Sequence, residues 1–288
     1  MKKIINMGWL ITLILIVGGY LSSVEAISIV PSIVKLSLTQ GESKSNVFEI
    51  NNGGNEEVYV EIFTKDWILE NNSRKFAPAG THSRSLSKWI TFEEESFTLA
   101  PKQKRSLRYA IDVPQNAEGG YWGLVCFNSR PLKKGGGVRV ATQLVSFVGA
   151  EITGTLKKKI EIIEISAENI KDRGFRFQAK LKNLGNSPLF QPSPVGKFKI
   201  KDKNDNVIAE GNLEGTMILP NEIGDYTSEY FKLNTPDENK YLTTIIFDYG
   251  DTKLIGKKVI LPTNTFYNWQ VLEKPATKEA TETSDKKQ

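Results

Sequence analysis

The sequence predicts an all-β protein: a signal peptide, two tandem immunoglobulin-like antiparallel β-sandwiches, and a disordered C-terminal tail. Three observations predict it. Short runs rich in Val, Ile, Phe, Tyr and Thr, parted by Gly, Pro and Asn, recur throughout, and no stretch sustains a helical period. The 288-residue length suits two domains once a leader is set aside. The two halves also repeat one order of turn residues.

The leader comes first. Lys2 and Lys3 precede an apolar run from Met7 to Leu21, and Val24 and Ala26 supply the small residues of a cleavage site. The run is shorter than the roughly 18–20 residues that span a bilayer, so residues 1–26 are expected to be removed before Ile27. No later run is as long and apolar. The mature chain is therefore expected to be periplasmic or extracellular, without stable membrane insertion.

Strand-like segments then follow in order. Residues 27–153 read as the first sandwich: ISIVPSIVKLSL, broken at Pro31, then NVFEI, VYVEIFTKDW, SKWITF, SFTL, SLRYAIDV, GYWGLVCFN and VRVATQLVSFVGAEI. A polar stretch from Glu70 to Arg84 reads as a loop. Residues 157–262 read as the second sandwich: KIEIIEISA, FRFQAKLKN, VGKFKIKDK, NVIAEGNL, YTSEYFKL, YLTTIIFDYG and KLIGKKVIL. Residues 263–288 read as a mostly disordered tail, with TFYNWQVL as a short closing strand and no large apolar residue after Glu273.

The shared punctuation supports two copies of one fold. Asn51-Asn52-Gly53 answers Asn183-Leu184-Gly185, and Leu99-Ala100-Pro101-Lys102-Gln103 answers Ile218-Leu219-Pro220-Asn221-Glu222. Pro114 and Tyr121 before an apolar strand answer Pro236 and Tyr241.

Residues able to carry chemistry are few. His82 is the only histidine and lies in a polar loop, with no nucleophile motif around any Ser or Cys. One His and one Cys do not make a zinc site. Cys126 sits in an apolar strand and reads as a buried small hydrophobe. Glu93-Glu94-Glu95 reads as a solvated loop, DKNDN (residues 202–206) as a hairpin turn, and Gly135 to Gly137 as a loop before a strand. Lysines are dispersed along the chain, so nucleic acid is not an expected partner. No catalytic residue, metal or cofactor is expected.

The first half resembles the N-terminal domain of the periplasmic pilus-assembly chaperones. The resemblance runs through SIVKLSLTQGES, VFEINN, VEIFTKDW, FTLAPKQKRSLRYAI, the Gly-Tyr-Trp strand and VRVATQLVSFVGAEI. With the second sandwich it covers Ile27 to Leu261. The chain is most similar to the two-domain chaperone-like exported proteins, with a weaker likeness to the WxL-interacting cell-surface proteins. In the chaperones, two basic residues in the interdomain cleft hold a client's C-terminal carboxylate, and alternating apolar residues of the last strand fill the client's incomplete sandwich. The resemblance places Lys35 near the first basic position and Phe147 where the second would stand. It gives the apolar partner face to Val138, Val140, Thr142 and Leu144.

The expected function is non-enzymatic. The chain reads as a binding protein of the cell envelope, chaperone-like, that captures another exported subunit by adding a β-strand. A structural or adhesive surface component, with the sandwiches as spacers, is the alternative. A carbohydrate-binding protein, using aromatics such as Phe266, Tyr267 and Trp269, is a third.

Overall fold

A computed structural model describes residues 27–132, 141–170, 172–190, 195–202, 204–233, 240–249, 254–262 and 272–273. The expected signal peptide (residues 1–26), Val138, Val140, Gly135 to Gly137 and most of the expected tail (residues 263–288) lie outside the described residues.

The strands, in chain order, are β1 (Ile27–Val30), β2 (Ile33–Leu38), β3 (Ser43–Asn52), β4 (Val58–Glu70), β5 (Ser73–Pro78), β6 (Ile90–Phe92), β7 (Ser96–Leu99), β8 (Lys104–Asp112), β9 (Gly120–Pro131), β10 (Thr142–Ile152), β11 (Ile160–Ile170), β12 (Gly174–Asn183), β13 (Val195–Lys201), β14 (Val207–Gly215), β15 (Ile223–Ser228), β16 (Lys240–Asp248), β17 (Leu254–Pro262) and β18 (Leu272–Glu273). The only helical element among the described residues is a 3-10 turn at Ser87–Trp89.

Two sheets form from the strands up to Ile152. One has the order β1-β3-β8-β6; the other has β2-β10-β9-β4-β5, with β7 added against β4. Alternation puts Phe48 and Ile50 of β3 and Leu107, Tyr109 and Ile111 of β8 inside. They meet Val60 and Ile62 of β4, Val125 and Phe127 of β9, and Val148, Ala150 and Ile152 of β10. Phe48 stacks on Tyr109 at 4.6 Å and meets the edge of Phe127 at 5.3 Å.

Two local features differ from the sequence reading. SKWITF splits into the 3-10 turn and the short β6. The supposed loop after Glu70 contains β5, which pairs with β4 through a turn at Asn71 and Asn72, both with positive φ. Asparagine tolerates that conformation, so the pair builds a tight hairpin without glycine.

From Ile160 onward all pairing is antiparallel, in the order β11-β12-β15-β14-β13-β16-β17-β18. Two layers face one core of Ile160, Ile162, Ile165, Phe177, Leu181, Phe198, Ile200, Leu213, Tyr226, Ile245 and Phe247. They are joined along one side, where β14 and β15 pair only over Leu213–Gly215 and Tyr226–Ser228.

The repeated punctuation has a structural basis. Buried Asn52 donates to the carbonyls of Glu56, Leu99 and Ala100 and accepts the Gly54 N–H. Buried Asn183 donates to the carbonyls of Ser187 and Ile218 and accepts the Gly185 N–H. The side chains of Gln103 and Glu222 accept the N–H groups of Ala100 and Leu219 in turn. Equivalence therefore runs from Asn52, not Asn51, to Asn183. The loop after each asparagine is pinned to the loop of the matching Pro turn.

Candidate functional site

Strand β10 pairs with β9 from Thr142 to Glu151, but its parallel ladder with β2 spans only Phe147 to Ile152. The reason lies at Pro31. Proline has no N–H to donate, and the chain changes sheets there: β1 pairs with β3 in one sheet and β2 with β10 in the other. Ser146 donates its hydroxyl to the Pro31 carbonyl and Phe147 its N–H to the Ser32 carbonyl. Residues Thr142 to Val145 thus have a strand neighbour on one side only among the described residues.

Backbone groups alternate in direction along a strand. Because the Phe147 N–H points toward β2, those of Val145 and Gln143 point to the same, open side. Val30 and Ile33, 59% and 58% exposed, flank this edge. They were not foreseen, although Pro31 is a sequence signal for the sheet switch that exposes them.

Of the expected partner face, Thr142 and Leu144 are described, both on β10. Leu144 packs against the core of its own sandwich, on the same side as Val148 and Ala150. Thr142 is half-buried, and its carbonyl accepts the Ser129 hydroxyl. Period-two alternation finds the two faces of a strand but not which one its own core claims. What β10 offers outward is its backbone edge.

Lys35 lies on β2 opposite Gly149, with Nζ 4.7 Å from the centre of the Phe190 ring. Burial lowers its pKa and the charge of Glu151 opposes that shift. Phe190 comes from the second half and sits over Gly149, where a Cβ would lie 2.4 Å from the ring. Phe147 packs against Phe190 at 5.6 Å and Trp67 at 5.9 Å. With Trp122, Leu124, Cys126 and Leu219 it forms an apolar cluster between the halves. Lys35 thus lies beside Phe190 at the junction, and Phe147 belongs to the aromatic core there.

Polar contacts lock the same junction. Arg74 of β5 donates through Nε and Nη2 to the two carboxylate oxygens of Glu222, at 2.7 and 2.8 Å, and also to the Met217 carbonyl. Asn72 exchanges two hydrogen bonds with the backbone of Ile223. Ser187 donates to Glu151 at 2.6 Å.

His82, Asp66 and Ser85 come together, though not as a nucleophile and base. The Ser85 hydroxyl donates to Asp66 Oδ1 at 2.6 Å, and His82 Nδ1 accepts the Arg84 N–H. Fully buried Asp66 also accepts the Thr81 N–H, so it organises the loop. His82 stacks on Trp122 at 4.7 Å. Burial pushes its pKa below the ordinary 6.5, with Asp66 opposing. On unfolding the imidazole regains its normal basicity, so its contribution to stability is complete above about pH 6.5 and declines as pH falls below it. The thermal midpoint is expected to drop between pH 7 and pH 5, and His82→Gln to flatten that slope. An equally steep profile in the variant would assign the effect to other groups.

Among the described residues no three or more His, Cys, Asp or Glu side chains gather as metal ligands, and no helix is long and apolar enough to cross a membrane.

No protein-family model matches the chain, and no curated protein matches it. Similar solved structures include the class 5 fimbriae chaperone CfaA, with 13% identity over 83% of this chain and 100% of that one, at a TM-score of 0.43. A chain from a chaperone–tip adhesin complex of CFA/I fimbriae shows 13% identity over 87% of this chain and 99% of that one, at 0.43. The E. coli chaperone DraB shows 14% identity over 80% and 96%, at 0.42.

Proposed function

We propose that this chain is an exported, non-enzymatic binding protein of the cell envelope with a chaperone-like assembly role. It takes up an extended segment of another exported subunit as an added strand on β10. The observation that carries this reading is the one-sided stretch from Thr142 to Val145, where Gln143 and Val145 turn their N–H and C=O groups outward. Proteins normally blunt such edges with charge, proline or very short strands. Here β1 and β6 are short and β5 carries Arg74 and Lys75, but Thr-Gln-Leu-Val has neither charge nor proline. An incoming strand would gain main-chain hydrogen bonds there and lay apolar side chains against Val30 and Ile33.

Gln143→Pro tests this. It removes an outward N–H without touching the ladder to β9, so the fold should persist. Affinity capture from the envelope fraction should identify a co-purifying subunit, and the variant should recover it at least about tenfold less well, the equivalent of one or two lost hydrogen bonds. Undiminished recovery by a folded variant would exclude strand addition at this edge.

A further inference from the structure

The second half contains another one-sided strand, and its surroundings are of a different chemistry. Strand β14 runs for nine residues, but its ladder with β15 covers only Leu213 to Gly215. The cause is a bulge at Ser228. Its hydroxyl accepts the Phe177 N–H and donates to the Glu229 carbonyl, taking over a rung of the ladder to β12. The chain then stays with β12, where Phe231 and Phe175 exchange backbone hydrogen bonds, and leaves β14 behind. From Val207 to Asn212, β14 has a partner on one side only among the described residues.

The gap is a cleft of about 420 Å³, lined by Phe198, Gly211 and Asn212 on one side and by Glu229, Tyr230 and Phe231 on the other. Its floor is aromatic: Phe198 and Phe231 stack at 4.8 Å. Gly211 leaves that floor uncovered, since a Cβ there would come within 2.7 Å of the Phe198 ring. Its rim is acidic. Alternation turns Ala209 and Leu213 to the core and leaves Glu210, Asn212 and Glu214 exposed on the outer face. Lys199 lies 3.3 Å from Glu210, while neither Glu214 nor Glu229 forms an ion pair among the described residues. On the far side Arg176 pairs with Glu168, and both Arg173 and Arg176 stack on Tyr230.

We propose that this cleft is a second strand-docking site, selective for an extended segment in which basic and apolar residues alternate. A strand laid along the open edge of β14 would set every second side chain beside Glu210 and Asn212, with Glu214 and Glu229 at the end of the cleft that β15 closes, where pairing favours Lys or Arg. The intervening side chains would turn down onto Phe198 and Phe231. Val207 to Asn212 provides about 20 Å of edge, room for five or six residues. The site is independent of β10.

The probe is an N-acetylated, C-amidated octapeptide of alternating Lys and Val, labelled for anisotropy and titrated into the full chain. Saturable binding is expected, at least tenfold tighter than that of the matching Glu/Val peptide. The double variant Glu214→Lys/Glu229→Lys changes only exposed side chains and should reverse this preference. Methylating every second backbone nitrogen on the hydrogen-bonding side of the peptide should abolish binding. Gln143→Pro should leave the affinity unchanged; a loss there would put the peptide on β10 and overturn the assignment. Equal affinity for both peptides, an unmoved preference in the double variant, tolerance of methylation in both alternating registers, or no saturable binding would each overturn it as well.

Discussion

Arg74→Ala is expected to destabilise the folded chain by about 3 kcal/mol, because it leaves a buried carboxylate without its counter-charge. The Glu222 side chain is 9% exposed and takes both guanidinium bonds while also holding the Leu219 N–H. The thermal midpoint should fall by roughly 5 °C or more. Gln103 performs the corresponding capping in the first half with a neutral amide. Adding Glu222→Gln to Arg74→Ala should therefore restore part of the loss, since the buried charge disappears while the cap remains. A double variant no more stable than the single one would show that the arginine acts mainly by stacking on Trp67, where its guanidinium carbon lies 4.9 Å from the ring centre.

Asn183→Ala should have an effect of comparable size. The side chain is fully buried, donates to two carbonyls and accepts one N–H, and alanine leaves all three without partners. Each orphaned buried group costs about 1–3 kcal/mol, so a total of about 3 kcal/mol is expected after some access by water. Asn52→Ala should behave alike, and denaturant unfolding followed by tryptophan fluorescence and far-ultraviolet circular dichroism would measure both. A loss under 1 kcal/mol in either would show that the loops hold without their pins.

Much of the strand order was legible because both faces of the strands leave a period-two mark, as in KRSLRYAID. What stayed hidden depended on distant partners. SRKFAP looks like a loop because its apolar content is only Phe76 and Ala77; it becomes a strand because β4 lies beside it and Arg74 has Glu222 to meet. The repeated Asn turns were visible, but NNGGN has two asparagines and two glycines, and only burial identifies Asn52 and Gly54 as the equivalents. For the candidate site, the resemblance placed Lys35 near the cleft. It could not show that Leu144 faces its own core, nor that β2 stops short and leaves Gln143 and Val145 open.

The apolar cluster between the halves also bears on the order of synthesis. A chain emerging from its amino terminus can complete the first sandwich, with Asn52 already satisfied by Leu99 and Ala100, before Phe190, Met217 and Leu219 have been made. During that interval the cluster of Trp122, Leu124, Cys126 and Phe147 lacks the cover that Phe190, Met217 and Leu219 give it in the finished chain. The half-made protein is stickier than the finished one. Completion of the second sandwich is thus the step that shields this surface, since Phe190, Met217 and Leu219 pack against it.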